Sequence, residues 1–123
     1  MNLLLLALAG AAGTLARFGL SSATQRLVPS ELPVATLVVN ALGSLAFGVI
    51  WPLAEERLLL SPETRRIVLV GFLGAFTTFS TFAFETGQLL RGDQWGAALG
   101  NVVAQNILGV GLFLAGVWLA RLL

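Results

Sequence analysis

The 123-residue chain carries 57% hydrophobic and only 11% charged residues, where soluble proteins average roughly 25% charged. It has no histidine and no cysteine, which removes the usual general base, the commonest metal ligand, disulfides and thiolate metal sites. A net charge of +1 supplies no basic patch for nucleic acid. What remains is a single domain, residues 1–123, built to sit inside a lipid bilayer.

A helix needs about 20 mostly apolar residues to cross ~30 Å of hydrocarbon, and four segments meet that length. The first predicted helix runs from about Leu3 to Val28, interrupted late by Arg17. Its start, Leu3 to Gly13, is apolar enough for a signal peptide. No basic residue precedes it, however, and three more apolar segments follow, so it reads as a retained helix. The second runs from Pro33 to Ala54, with a proline suited to a helix N-terminus. The third runs from about Arg66 to Leu90, after Ser61-Pro62-Glu63-Thr64, which reads as an N-cap with proline at the first helical position. The fourth runs from Gly96 to Leu122. The connecting segments are too short for a soluble domain, which makes the chain a multi-pass cell-membrane protein.

Four crossings put both termini on one side, with Arg57, Arg65, Arg66 and Arg121. The other side holds Arg26 and Arg91, with Arg17 buried nearby. So weak an arginine bias leaves two readings open. One is a single orientation with cytoplasmic termini; the other is insertion both ways, which permits an antiparallel dimer. Fourteen glycines are spread over all four helices. Small residues let membrane helices approach closely, and four short helices enclose little interior, so an oligomer is expected.

Polar groups at membrane depth are costly and point to function. Thr36, Asn40 and Ser44 share one face of the second helix, and Asn101 and Gln105 share one face of the fourth. Such side chains also serve as interhelical glue, but three helices place amides and hydroxyls at overlapping heights, which favours a polar pathway. The densest stretch runs from Gly71 to Phe82, where Thr77, Thr78, Ser80 and Thr81 follow Gly71 and Gly74. Glycine weakens a helix, and hydroxyls compete for its backbone hydrogen bonds. A break is therefore predicted near Gly74 to Thr78. Its first half would end in free carbonyls that suit a cation, and its second half would begin with free amides that suit an anion. Phe79 and Phe82 share a face amid these hydroxyls and can present positive ring edges to an anion. Two charges lie deep. Arg17 sits about 21 Å along the first helix and Glu85 about 27 Å along the third, where they could pair or line a vestibule.

These residues resemble the Fluc (CrcB) family of fluoride channels. Gly10 to Arg17, Asn40-Ala41-Leu42-Gly43-Ser44 and Gly71 to Phe82 carry the likeness, the last being highly specific. The resemblance implies a dual-topology antiparallel homodimer with two fluoride pores. It implies that Phe79 and Phe82 line the pores, with Asn40, Ser80 and Thr81 on a polar track. It also implies a sodium ion at the dimer centre, held by the main-chain carbonyls of Gly74 and Thr77. The fourth helix matches least, because the family often carries small hydroxyl residues where this chain has Asn101, Gln105 and Gly109.

The runner-up is a small multidrug or guanidinium exporter coupled to protons. Such proteins place a carboxylate deep in the first helix, where this chain has Arg17. A non-transporting assembly subunit is a third class. Enzyme chemistry has little to work with in the absence of His, Cys or paired carboxylates.

Overall fold

A computed structural model describes Met1 to Leu123. The chain is all-helical: α1 (Leu3–Leu27), α2 (Val34–Glu55), α3 (Pro62–Arg66), a π-helical segment (Ile67–Leu73), α4 (Gly74–Phe76), α5 (Phe79–Arg91) and α6 (Trp95–Leu122). The stretch from Pro62 to Arg91 forms one interrupted crossing, so four helical spans are long and apolar enough for a membrane. Even the shortest, at 22 residues, is about 33 Å long.

Local chemistry sets the ends. The Asn2 side chain caps α1 by accepting from the N–H groups of Leu4 and Leu5 at 3.1 and 3.3 Å. Its own backbone N–H donates to Glu63 at 2.7 Å, tying the start of α1 to the start of the third crossing. Ser61 accepts from Thr64 N–H at 3.1 Å, with Pro62 in the first turn as its sequence predicts. The third crossing thereby begins four residues before the expected Arg66. Pro33 occupies the cap position, and the helix proper starts at Val34.

The π-helical segment was not foreseen. Ile-Val-Leu-Val-Gly-Phe-Leu is apolar throughout, so its periodicity does not distinguish i−4 from i−5 bonding. The widened turns lie against α1, where Gly13 meets the Phe72 carbonyl and Gly71 meets Leu6 and Ala9. Such π-bulges are rare and are enriched at functional sites.

The tightest helix pair is α2 with α6. A Cβ at Gly48 would overlap the backbone of Phe113, and one at Gly116 would overlap Leu45 and Val49. Glycine here permits backbone-to-backbone approach. Gly96, Gly100 and Gly111 have open space around them, so only part of the glycine content serves packing within the chain. A small core of Val39, Leu69, Leu73 and Phe76 joins α2 to the third crossing. Only 17 of 123 residues are buried, which leaves most apolar surface turned outward. Arg65 pairs with Glu55, and Arg121 with Glu56 at 3.0 Å, at the end of the bundle that holds both termini.

Candidate functional site: a cavity beside a broken helix

The third crossing opens at Thr77 and Thr78, both extended, with φ/ψ of −83°/158° and −150°/115°. In an unbroken helix, Thr78 N–H would donate to Gly74 O and Thr81 N–H to Thr77 O. Here Thr78 N–H donates to Asn40 Oδ1 at 2.8 Å, and Thr81 N–H donates to the Thr78 hydroxyl at 3.2 Å. The carbonyls of Gly74 and Thr77 therefore accept no hydrogen bond from the chain. Two partners stabilise the break: Asn40, reaching across from α2, and Thr78, which N-caps α5. Gly43 makes this approach possible, because a Cβ there would collide with the Thr77 methyl group.

A cavity of about 460 Å³ lies beside this opening. Asn40, Thr77, Thr78, Phe79, Phe82 and Gln105 contribute to its wall, and no ionisable side chain does. The Phe79 and Phe82 rings meet edge-to-face, with centroids 5.5 Å apart. Because α5 starts at the cavity wall, the positive end of its dipole lies alongside. The chemistry offered is neutral donors, ring edges and a helix N-terminus, all suited to a dehydrated anion.

A polar column leads away from the cavity. Asn40 Nδ2 donates both to Thr78 O at 3.0 Å and to Gln105 Oε1 at 3.2 Å. One turn along α2, Thr36 donates to Glu85 at 2.7 Å. Nearby, Asn101 donates to the Thr86 hydroxyl at 2.9 Å, and that hydroxyl donates to Phe82 O at 2.8 Å. Glu85 then borders a second cavity of about 630 Å³, formed with Gln25, Glu31, Gln88 and Gln94 at the end of the bundle away from the termini.

A family model described as CrcB-like protein, Camphor Resistance (CrcB), matches residues 4–117. The chain belongs to the CrcB family. Among its relatives, a protein of Nitrosococcus oceani named "Fluoride-specific ion channel FluC" is 56% identical over 105 residues, covering 85% of this chain and 84% of that protein. Proteins of the same name from Desulforapulum autotrophicum and Nitratidesulfovibrio vulgaris are 50% and 46% identical, covering 96% and 98% of this chain and 94% and 98% of those proteins.

In this CrcB member, the structure brings most of the sequence-derived candidates together. Asn40, Phe79 and Phe82 share the cavity wall. Ser80 and Thr81 stand one step back, their hydroxyls 3.5 and 3.0 Å from that of Thr78. Arg17 and Glu85 do not pair: Glu85 bonds Thr36 instead, and its Oε2 is buried without a donor. Sequence reasoning singled out Gln105 only as part of a polar helix face. Its contact with Asn40 depends on the register of α6 against α2, which the glycines at 48 and 116 fix and no motif announces.

Proposed function

We propose that this chain is a passive, fluoride-selective ion channel of the cell membrane. The single observation that carries the reading is the cavity at the start of α5, walled by neutral donors and by Phe79 and Phe82 with no titratable group. Fluoride is small and strongly hydrated, so a pore must replace its water with donors while binding weakly enough to release it. Hydroxyls, amides and ring edges meet that requirement, and relatives bearing the fluoride-channel name make fluoride the anion of choice. Asn40, Phe79 and Phe82 form the pore wall, with Ser80 and Thr81 extending the polar track through Thr78. Arg17 and Glu85 steer and support from outside the selective region.

The working unit is an antiparallel homodimer with two pores. Phe79 is 78% exposed in the single chain despite its place at the cavity, and a second copy would cover it. Two breaks meeting at a dyad would bring together about four carbonyls, from Gly74 and Thr77 of each chain. Partially negative oxygens crowded in a low-dielectric core are costly without a cation. The lack of donors to both carbonyls fits a small hard ion, and sodium is proposed there. When bound, it offsets the carbonyl dipoles and joins the two chains.

The proton-coupled exporter reading is weaker, because α1 presents Arg17 in place of a carboxylate and Glu85 opens toward the far cavity. The test is fluoride efflux from liposomes holding purified protein, with chloride as control and no proton gradient. Fluoride efflux well above chloride supports the channel. Equal fluxes, or flux tied strictly to proton counterflow, would overturn it.

A further inference from the structure

We infer that Thr86, tied to α6 by Asn101, is a positioning residue: it aims the rings of Phe79 and Phe82 and thereby sets the preference for fluoride over chloride. The inference rests on the channel reading above and adds a control on that site, not another contact to the ion.

Little apolar packing holds α5. Leu89 is its one buried residue, while Phe79 and Phe84 are 78% and 64% exposed. Polar ties must therefore decide how the helix is turned about its axis. Asn40 fixes the start of α5 at Thr78, but a bond at one end leaves the later turns free to swing. Two further ties lie on adjacent residues. Thr36 of α2 donates to Glu85 at 2.7 Å, and Asn101 of α6 donates to the Thr86 hydroxyl at 2.9 Å. α5 is thus drawn to both of the helices that complete the cavity wall.

Register makes Thr86 the tie that governs the rings. Phe79, Phe82, Thr86 and Leu89 fall at i, i+3, i+7 and i+10, one stripe of an α-helix. Holding Thr86 against α6 turns that whole stripe, rings included, toward the space between α2 and α6. The Thr86 hydroxyl is fully used: it accepts from Asn101, and its one hydrogen goes to Phe82 O at 2.8 Å. That second bond reaches the backbone of a wall residue, and such bonding to the i−4 carbonyl bends a helix. Asn101 is only 7% exposed, so its amide has no water to turn to once the hydroxyl is gone. A ring attracts an anion by its positive edge and repels it by its negative face. Fluoride gives up a more tightly held hydration shell than chloride, so misaimed rings penalise fluoride more.

Three variants test this in the full-length protein. Thr86→Val keeps the shape of the side chain and removes the hydroxyl, whereas Thr86→Ser keeps the hydroxyl. In Thr86→Val the ratio of fluoride to chloride efflux should fall at least tenfold in protein that still elutes as one folded species, and Thr86→Ser should stay within twofold of the parent. NMR of protein labelled in its phenylalanine rings supplies a readout that loss of interhelical glue alone would not give. The Phe82 signals should move in Thr86→Val and return in Thr86→Ser. Those of Phe47 and Phe113, which pack together with centroids 6.3 Å apart, should stay in place. Asn101→Leu removes the same tie from α6 and should reproduce both changes, so it decides the matter if Thr86→Val fails to fold. A folded variant with an unchanged ratio, or with Phe82 unmoved, would overturn the inference and leave the tie as helix packing. A parent protein that carries no fluoride would instead overturn the channel reading on which the inference stands.

Discussion

Asn40 holds both backbone polar groups of Thr78, its Oδ1 accepting from the Thr78 N–H at 2.8 Å and its Nδ2 donating to the Thr78 carbonyl at 3.0 Å. One α2 side chain thus replaces two backbone partners that the broken crossing gives up. The clamp is what holds open the start of α5, and the cavity depends on it.

Asn40→Asp should strongly reduce fluoride flux. The carboxylate keeps the bond from Thr78 N–H, but it turns an oxygen toward Thr78 O and Gln105 Oε1 and places negative charge beside the anion path. Leaving those buried acceptors unpaired costs about 1–3 kcal/mol. Efflux assays and chemical denaturation check the two effects separately. Near-normal flux would reduce Asn40 to interhelical glue.

Phe79→Ile and Phe82→Ile should lower flux more than they lower dimerisation. Isoleucine fills space but offers no positive ring edge to an anion. Flux and detergent-phase dimer content, measured on the same preparations, distinguish the outcomes. Unchanged flux in both variants would return the two rings to packing.

Glu85→Gln should leave fluoride selectivity and passive transport in place. An amide can still accept from the Thr36 hydroxyl, which lies 2.7 Å away in the parent, and the residue lies beyond the cavity that Phe79 and Phe82 wall. Selectivity is read as the ratio of fluoride to chloride efflux. Its loss, or the appearance of proton coupling, would favour an exporter.

Gly48→Ala should destabilise the bundle, because its Cβ would overlap the Phe113 backbone. Forcing extra volume into a packed contact typically costs about 1–3 kcal/mol. Gly111→Ala, with nothing nearby to meet, should be tolerated. Thermal loss of the folded species in detergent compares the two. Equal stability would mean that α2 and α6 do not touch as described.

Much of this was legible because hydrophobic run length and a few unusual residues carry the signal directly. Four long apolar stretches gave the crossings to within a few residues, and the crowding of hydroxyls after Gly74 placed the break where Thr77 and Thr78 turn out extended. Asn40, Phe79 and Phe82 stood out because polar and aromatic groups seldom cluster at membrane depth. The π-helical turns did not stand out, because an all-apolar run has no face to reveal its pitch. Arg17 and Glu85 were placed at similar heights, but height along a helix says nothing of rotation about it, and Glu85 faces Thr36. The pairing of Asn40 with Gln105 depends on how two helices slide past one another. Backbone contacts at Gly48 and Gly116 set that register.

Sodium removal should weaken the dimer. The proposed sodium would sit on the Gly74 and Thr77 carbonyls, which lack donors within the chain; replacing sodium by a large organic cation should then lower the thermal stability of the proposed dimer, and reduced flux should follow. Identical stability and flux with the site demonstrably empty would give the free carbonyls another purpose.

The most direct test of the central claim is the reversal potential of the purified protein in a planar bilayer under a fluoride gradient, with symmetric chloride and equal pH on both sides. The account predicts reversal at the fluoride equilibrium potential, about 59 mV per tenfold gradient for a monovalent ion at 25 °C, unmoved when a pH step is added. Reversal near zero, as chloride conduction would give, or a potential that follows the pH step, would contradict it.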